Sequence, residues 1–147
     1  LQEKFPIGGS KTLKESAADA VTVIGAGITL FEALAAYEEL SGFARSREAR
    51  QNPGIAIRVI DLYSIKPLDL ETLQKAARET KAIITVEDHY AEGGIGEAVA
   101  SALSRSKTPV YSLAVRKMPK SGKPEELLDY EEISKNAIIK KVKEILR

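Results

Sequence analysis

Cysteine is absent from the 147 residues. Its absence excludes disulfides, thiolate catalysis and thiolate-held metal, and it fits a reducing cytoplasm. Histidine occurs once, as His89, and a zinc site needs more nitrogen or sulfur ligands than one ring supplies. No apolar run approaches the ~20 residues that span a bilayer, and no signal-peptide pattern opens the chain. Nor does one charge dominate. Lys and Arg number 22 against 21 Asp and Glu, a net charge of +1, which makes no general case for nucleic acid or an anionic membrane. The phosphate loop G-x-x-x-x-G-K-[ST] and the nucleophile elbow G-x-S-x-G are both missing, so triphosphate binding and a hydrolase triad lack support. What is there is 44% hydrophobic and 29% charged, an ordinary soluble composition on a chain long enough for one domain with a proper core.

Strand and helix patterns alternate along that chain. Residues 1–10 read as a lead-in, flexible at Gly8-Gly9, with an edge strand near Lys11 to Lys14. Val21 to Ile24 is β-branched throughout and reads as a buried strand. From Thr29, expected to be its N-cap, a helix carries Leu30, Ala33, Leu34 and Tyr37 on one face and ends near Gly42. The polar, basic stretch around Arg45 to Arg50 reads as a solvated helix end or loop, closed by Pro53-Gly54. Ile55 to Leu62 is the second strong strand. "SIKPLD" turns into a helix bearing Leu70, Leu73, Ala77 and Thr80, and Ala82 to Val86 is the third central strand. "EDHYAEGGIG" leads to a helix with Ile95, Val99, Ala102 and Leu103. Val110 to Val115 is the last strand, "RKMPKSGKPEELLDY" a long turn-rich connection, and Ser134 the cap of a final helix with Ile138, Val142, Ile145 and Leu146. This alternation predicts a mainly parallel sheet covered on both faces.

Two glycine clusters invite a ligand. "VTVIGAGITLFEALAA" has the strand, turn and helix of a dinucleotide site, but the third fingerprint position is Leu30, a core residue that holds the helix away from the sheet. Asp61 sits where a ribose-binding acid would, yet it lies well beyond the ~20 positions at which such an acid follows. A tight strand-to-helix turn is the simpler reading, with backbone at Gly27 close to a neighbouring element. Gly93 and Gly94 open the second turn, where backbone amides can accept an anion. Close packing is again the simpler reading. His89 stands beside Glu87, Asp88 and Glu92 in an acid–base-like cluster, but a lone histidine among carboxylates is more often a hydrogen-bonded loop residue. Glu87 and Asp88 are expected to accept backbone hydrogen bonds that fix the turn. Tyr90 offers an apolar ring with a polar tip, as interfaces favour.

Taken in order, "VTVIGAGITLFEALAA", "IRVIDLYSIKPLD", "TVEDHYAEGGIGEAVASAL" and "LAVRKMPKSGKPEELL" resemble the C-terminal domain of transketolase. The resemblance runs from about Phe5 to the C-terminus. "VEDHYAEGGIGEAV" and "PKSGKPEELL" are closer to transketolase than to the related 2-oxoacid dehydrogenase β subunits or deoxyxylulose-phosphate synthase. The main departure is a longer segment from Ser41 to Pro53.

The resemblance implies an α/β fold of three layers, α/β/α, with a five-stranded, mainly parallel sheet and one antiparallel edge strand, spanning 11–147. It implies a dimeric, cytoplasmic transferase that moves a two-carbon ketol unit between sugar phosphates in the pentose phosphate pathway. Thiamine diphosphate and a divalent metal, magnesium or calcium, belong to the N-terminal and middle domains of such an enzyme. Neither the G-D-G…N pattern nor the activating glutamate in its motif context occurs here. No catalytic, cofactor or metal residue is therefore assigned, and the isolated chain is expected to be inactive. The residues of interest are Gly25, Gly27, His89, Tyr90, Gly93 and Gly94, as interface or anion-turn positions. The opening Leu1 points to a domain excised from a longer chain rather than one chain of a split enzyme. A regulatory module binding an anion or nucleotide at the turns before Thr29 or Ile95 is the competing reading.

Overall fold

The computed structural model describes residues 3–42 and 54–147. In chain order its elements are β1 (Lys11–Lys14), β2 (Val21–Gly25), α1 (Ile28–Leu40), β3 (Ile57–Asp61), α2 (Leu70–Glu79), β4 (Ile83–Tyr90), α3 (Ile95–Ala102), β5 (Val110–Val115), α4 (Pro124–Tyr130) and α5 (Lys135–Ile145). The β-branched run at Val21 forms the buried centre of a five-stranded sheet, because stiff χ1 angles suit a pleated surface packed on both faces. Strand order is β1-β3-β2-β4-β5. All pairings are parallel except that of β1 with β3, where Lys11 lies opposite Asp61. The expected mainly parallel sheet with one antiparallel edge strand is what the chain forms.

Side chains alternate along each strand, so β2, β3, β4 and β5 each feed two cores. Val21, Val23, Val59, Ile84 and Val86 meet Ala33 and Ala36 of α1 and Ile138 and Val142 of α5. Ile24, Ile60 and Ile83 point the other way, toward Leu73 and Ala76 of α2 and Val99 of α3. The result is a three-layer α/β/α domain, in which each fully buried Ile or Leu contributes about 1.5–3 kcal/mol.

Several local expectations need correction. Gly27, not Thr29, occupies the N-cap of α1. Thr29 is fully buried in the first turn, two residues on, where its hydroxyl donates to Val86 O at 2.7 Å and lies 3.0 Å from Ala26 O. Leu70 is half-exposed, since it is the first residue of α2 and stands at the sheet's rim, and Thr80 is the C-cap rather than part of the helix. The connection after β5 contains α4. It buries none of its residues completely, so it has no strong apolar stripe, although Pro124 at its start and Glu125 and Glu126 in its first turn are proper start signals. Ser134 is the N-cap of α5, but its hydroxyl turns to the Asp129 carboxylate instead of the helix amides. The Lys135 amide is taken by Glu32 of α1 at 2.6 Å. Gly42 does close α1, in the left-handed conformation with φ +72°. The basic stretch from Arg45 to Arg50 lies outside the described residues.

The lead-in is pinned to the sheet. Gly8 N donates to Ser64 Oγ at 2.9 Å, Phe5 meets Tyr63 edge-on at 5.0 Å, and Lys11 Nζ sits 3.2 Å from the centre of the Phe5 ring. Ser10 Oγ donates to Asp69, the N-cap of α2. Burial works against the Asp69 carboxylate, but the Thr72 amide and the Thr72 and Ser10 hydroxyls outweigh it and hold its carboxyl below the ordinary value.

Candidate functional site

β2, β3, β4 and β5 run the same way, so their carboxyl ends and the N-termini of α1, α2 and α3 share one edge of the sheet. Open α/β sheets bind ligands at that edge. Both glycine turns lie there on neighbouring strands, and the Thr29 hydroxyl on Val86 O ties them together.

At the first turn the two glycines have different reasons. A Cβ on Gly25 would stand 3.0 Å from Leu30 N and 3.1 Å from Leu30 Cα, so this is where the helix closes on the strand. Nothing lies within 4 Å of the same point on Gly27, which corrects the expected close approach there. Gly27 is required by its backbone instead, at φ +60° and ψ −129°, a region that side chains with a Cβ avoid. Gly27→Val is therefore expected to cost about 1–3 kcal/mol through strain alone. Gly27→Ala should cost nearly as much, since crowding plays no part, and a clear gap between the two urea midpoints would contradict this account. Leu30 packs partly buried against the core, as expected, but it does not hold the helix away from the sheet, since its own backbone is the close approach to Gly25. Asp61 ends β3 beside Gly25 and opposite Lys11. Burial raises its pKa, with repulsion from Glu3 adding to it and Lys11 opposing.

The second turn is filled from within. Glu87, on β4, is buried with its carboxylate under the start of α3. Oε2 accepts from Ile95 N at 2.6 Å and Oε1 from Gly96 N at 2.9 Å. A Cβ on Gly94 would overlap that carboxylate, and one on Gly96 would stand 2.6 Å from Ser112 Oγ. Gly93, at φ +74°, donates its amide to Glu97 Oε2 at 2.7 Å. Of the amides expected to take an external anion, that of Gly93 thus holds Glu97 and that of Gly94 donates to Ala91 O at 3.4 Å, while the next two, of Ile95 and Gly96, hold the Glu87 carboxylate at the positive end of the helix dipole. A cofactor diphosphate does not fit here, because its charge would meet that of Glu87.

His89 and Tyr90 follow on the same strand but reach solvent. His89 Nδ1 lies 2.7 Å from Tyr90 O, and the two rings stand 6.2 Å apart at 72°. Asp88 is exposed as well, so of the two carboxylates expected to fix the turn only Glu87 is buried against it. With Val115, Pro119 and Leu127 these side chains line an open groove of about 330 Å³. The acid–base cluster read from the sequence is thereby divided, Glu87 inward and His89 outward. Sequence reasoning missed the exposed apolar residues nearby, Ile28, Phe31 and Met118, whose only signal is an apolar pair leading a helix and a lone Met in a basic loop.

The family model "Transketolase, C-terminal domain" matches residues 10–138. The chain belongs to the transketolase C-terminal domain family. It is 54% identical over 145 residues to "Transketolase-like protein 2" of Mus musculus, covering 97% of this chain and 22% of that protein. To "Transketolase" of Mus musculus it is 49% identical over 143 residues, 96% of this chain and 21% of that one. The chain thus spans about a fifth of the length of these relatives. Among solved structures it resembles "Split gene transketolase, inactive beta4 tetramer" at a TM-score of 0.82 and 34% identity, over 98% of this chain and 44% of that one. A transketolase from Campylobacter jejuni shares the fold at a TM-score of 0.62 and 17% identity, over 92% of this chain and 18% of that one. Among the described residues, no helix of this transketolase domain is long and apolar enough to cross a membrane.

Proposed function

We propose that this chain is the third domain of a cytoplasmic transketolase and that its own work is assembly. The whole enzyme moves a two-carbon ketol unit between sugar phosphates of the pentose phosphate pathway, as a homodimer. Thiamine diphosphate and magnesium or calcium are held by its N-terminal and middle domains, and this domain supports the dimer. The observation that carries the reading is the family match over residues 10–138, joined to a carboxyl edge whose second turn is closed by Glu87. The anion-module alternative loses its support at that turn. His89 and Tyr90, left facing solvent beside it, suit a junction with a neighbouring domain or subunit.

Two measurements test this. Titration calorimetry of the 147-residue chain with thiamine diphosphate and magnesium is expected to show no binding, and ketol transfer no turnover. In a complete enzyme carrying these residues, His89→Ala and Tyr90→Ala should weaken assembly, seen by sedimentation, more than they slow turnover at saturating cofactor. Tight cofactor binding by the isolated chain would sink the proposal. A variant that stays assembled yet turns over a hundredfold more slowly would move this loop into the active site.

A further inference from the structure

The two outer strands of the sheet are guarded unequally. β1 is four residues long, carries Lys11 and Lys14 and has an irregular register against β3. Shortness, lysines and bulges are the devices that keep an edge strand from pairing with another chain. β5, on the other side, has none of them. It reads Val110-Tyr111-Ser112-Leu113-Ala114-Val115, without charge or proline, and lies in regular register on β4 from Val110 to Leu113. Ile83 N donates to Pro109 O at 3.0 Å, which fixes the phase of this parallel ladder. Pro109 and Tyr111 thus turn their backbone groups to β4, and Val110 and Ser112 turn theirs outward. Among the described residues no strand meets them. Only at the far end is this side closed, where Glu131 Oε2 accepts from Arg116 N at 3.2 Å and Lys117 N at 3.1 Å.

A cleft of about 380 Å³ separates this outer side from α5. Ser112, Leu113 and Ala114 form one wall, and Asn136, Lys140 and Lys141, on one face of α5, the other. Four carboxylates and four cations reach the cleft, but they are not equally committed. Asp129 accepts from Ser134 and Asn136, and Glu131 holds the two amides. Glu132 pairs with Lys117 at 3.2 Å and Glu144 with Lys141 at 2.7 Å. Every carboxylate is therefore engaged. Arg116 and Lys140 are exposed and, among the described residues, have no carboxylate partner. The cleft thus sets uncompensated positive charge beside open backbone groups. A segment that adds to a sheet edge takes affinity from main-chain hydrogen bonds and specificity from its alternate side chains.

Charge decides the occupant. Two copies joined through β5 about a two-fold axis would set Lys140 and Lys141 against their own twins, since both stand midway along the cleft-facing side of α5. The chain ahead of β1 does not arrive here either, because it enters beside the other outer strand, with β3, β2 and β4 between. We propose that β5 takes an extended acidic segment of another protein as a sixth strand, with carboxylates turned toward Arg116 and Lys140.

The test uses a complete enzyme carrying these residues, and its probe is a fluorescent octapeptide of alternating valine and glutamate, read by anisotropy. The peptide is expected to bind at least tenfold more tightly than its valine–lysine counterpart. N-methylation separates strand pairing from simple attraction of charge, because alternate amides of a strand point to opposite sides. Of two further peptides, one methylated at every valine and one at every glutamate, one should lose at least tenfold in affinity and the other keep it. Arg116→Ala combined with Lys140→Ala should weaken the parent peptide at least fivefold with the circular dichroism spectrum unchanged. Absence of binding overturns the proposal, and that includes an edge already covered by a second copy or by another part of the enzyme. Equal binding of the lysine peptide overturns it, and so do two methylated peptides that behave alike. The peptide comparisons need no substitution in the enzyme, so a misfolded variant does not blunt them.

Discussion

Arg58→Ala is expected to lower the unfolding free energy by about 3–5 kcal/mol, read as a fall in the urea midpoint. Arg58 belongs to β3 and its side chain is only 4% exposed. Its Nη2 lies 2.6 Å from Glu79 Oε2 and 3.2 Å from Glu15 Oε1, and its Nε 3.5 Å from Asp19 Oδ2. Glu15 and Glu79 are well exposed and turn to water when the cation goes, so their share of the loss is small. Asp19 cannot, because it is as buried as Arg58. It would keep only the Ser16 amide at 2.8 Å and hydroxyl at 2.7 Å, an ionised carboxylate without its counter-charge. The cost therefore comes from stranding Asp19, not from the strength of the pair. Replacing both residues with apolar side chains of similar volume should recover most of it. An Arg58→Ala midpoint within error of the parent would show that Asp19 reaches water easily.

Glu87 is the second position of large effect. Glu87→Ala removes the acceptor from two amides at the start of α3 and leaves them without a partner in a buried site, at about 2–4 kcal/mol. Gly94→Ala is expected to cost about 1–3 kcal/mol by overpacking, because the new methyl overlaps the Glu87 carboxylate. The backbone at Gly94 is extended, with φ −86° and ψ −171°, so alanine itself is welcome there. The two substitutions should consequently not add. With Glu87 shortened, Gly94→Ala meets empty space, and the double variant should fall short of the summed losses by ~1 kcal/mol or more. Strict additivity in urea denaturation would mean that the glycine answers to something other than the carboxylate.

Much of the architecture was legible because burial on both faces forces near-continuous apolar strands. Val21 to Ile24, Ile55 to Leu62 and Ala82 to Val86 read as strands for that reason, and the two-faced sheet turned them into one core per side, although β3 is shorter, Ile57–Asp61, and β4 runs on to Tyr90 through exposed polar residues that carry no apolar signal. α4 was not legible as a helix because none of its residues is fully buried, and hydrophobic period is the main helix signal. Leu70 fits the apolar face of α2 by spacing, yet the first turn of that helix overhangs the sheet's rim, where no partner element covers it.

The sequence by itself determined the succession of strands and helices along the chain except α4, the family through four motifs in register, and the absence of thiol chemistry. Those properties reside in residue identity and short-range spacing. Only the tertiary structure decided what the polar residues do. Whether Glu87 is an acid–base candidate or an internal anion depends on β4 continuing to Tyr90 and on α3 folding back over it. Whether Arg58 is a surface charge or a buried ion depends on Glu15 and Asp19 arriving from the far end of β1. The sum of Phe5, Phe31 and Met118 into one apolar edge depends on parallel strands ending together. The physical reason is common to all three. Hydrophobic period is local and survives in one dimension, whereas a charge or an exposed ring takes its role from neighbours far away in the chain.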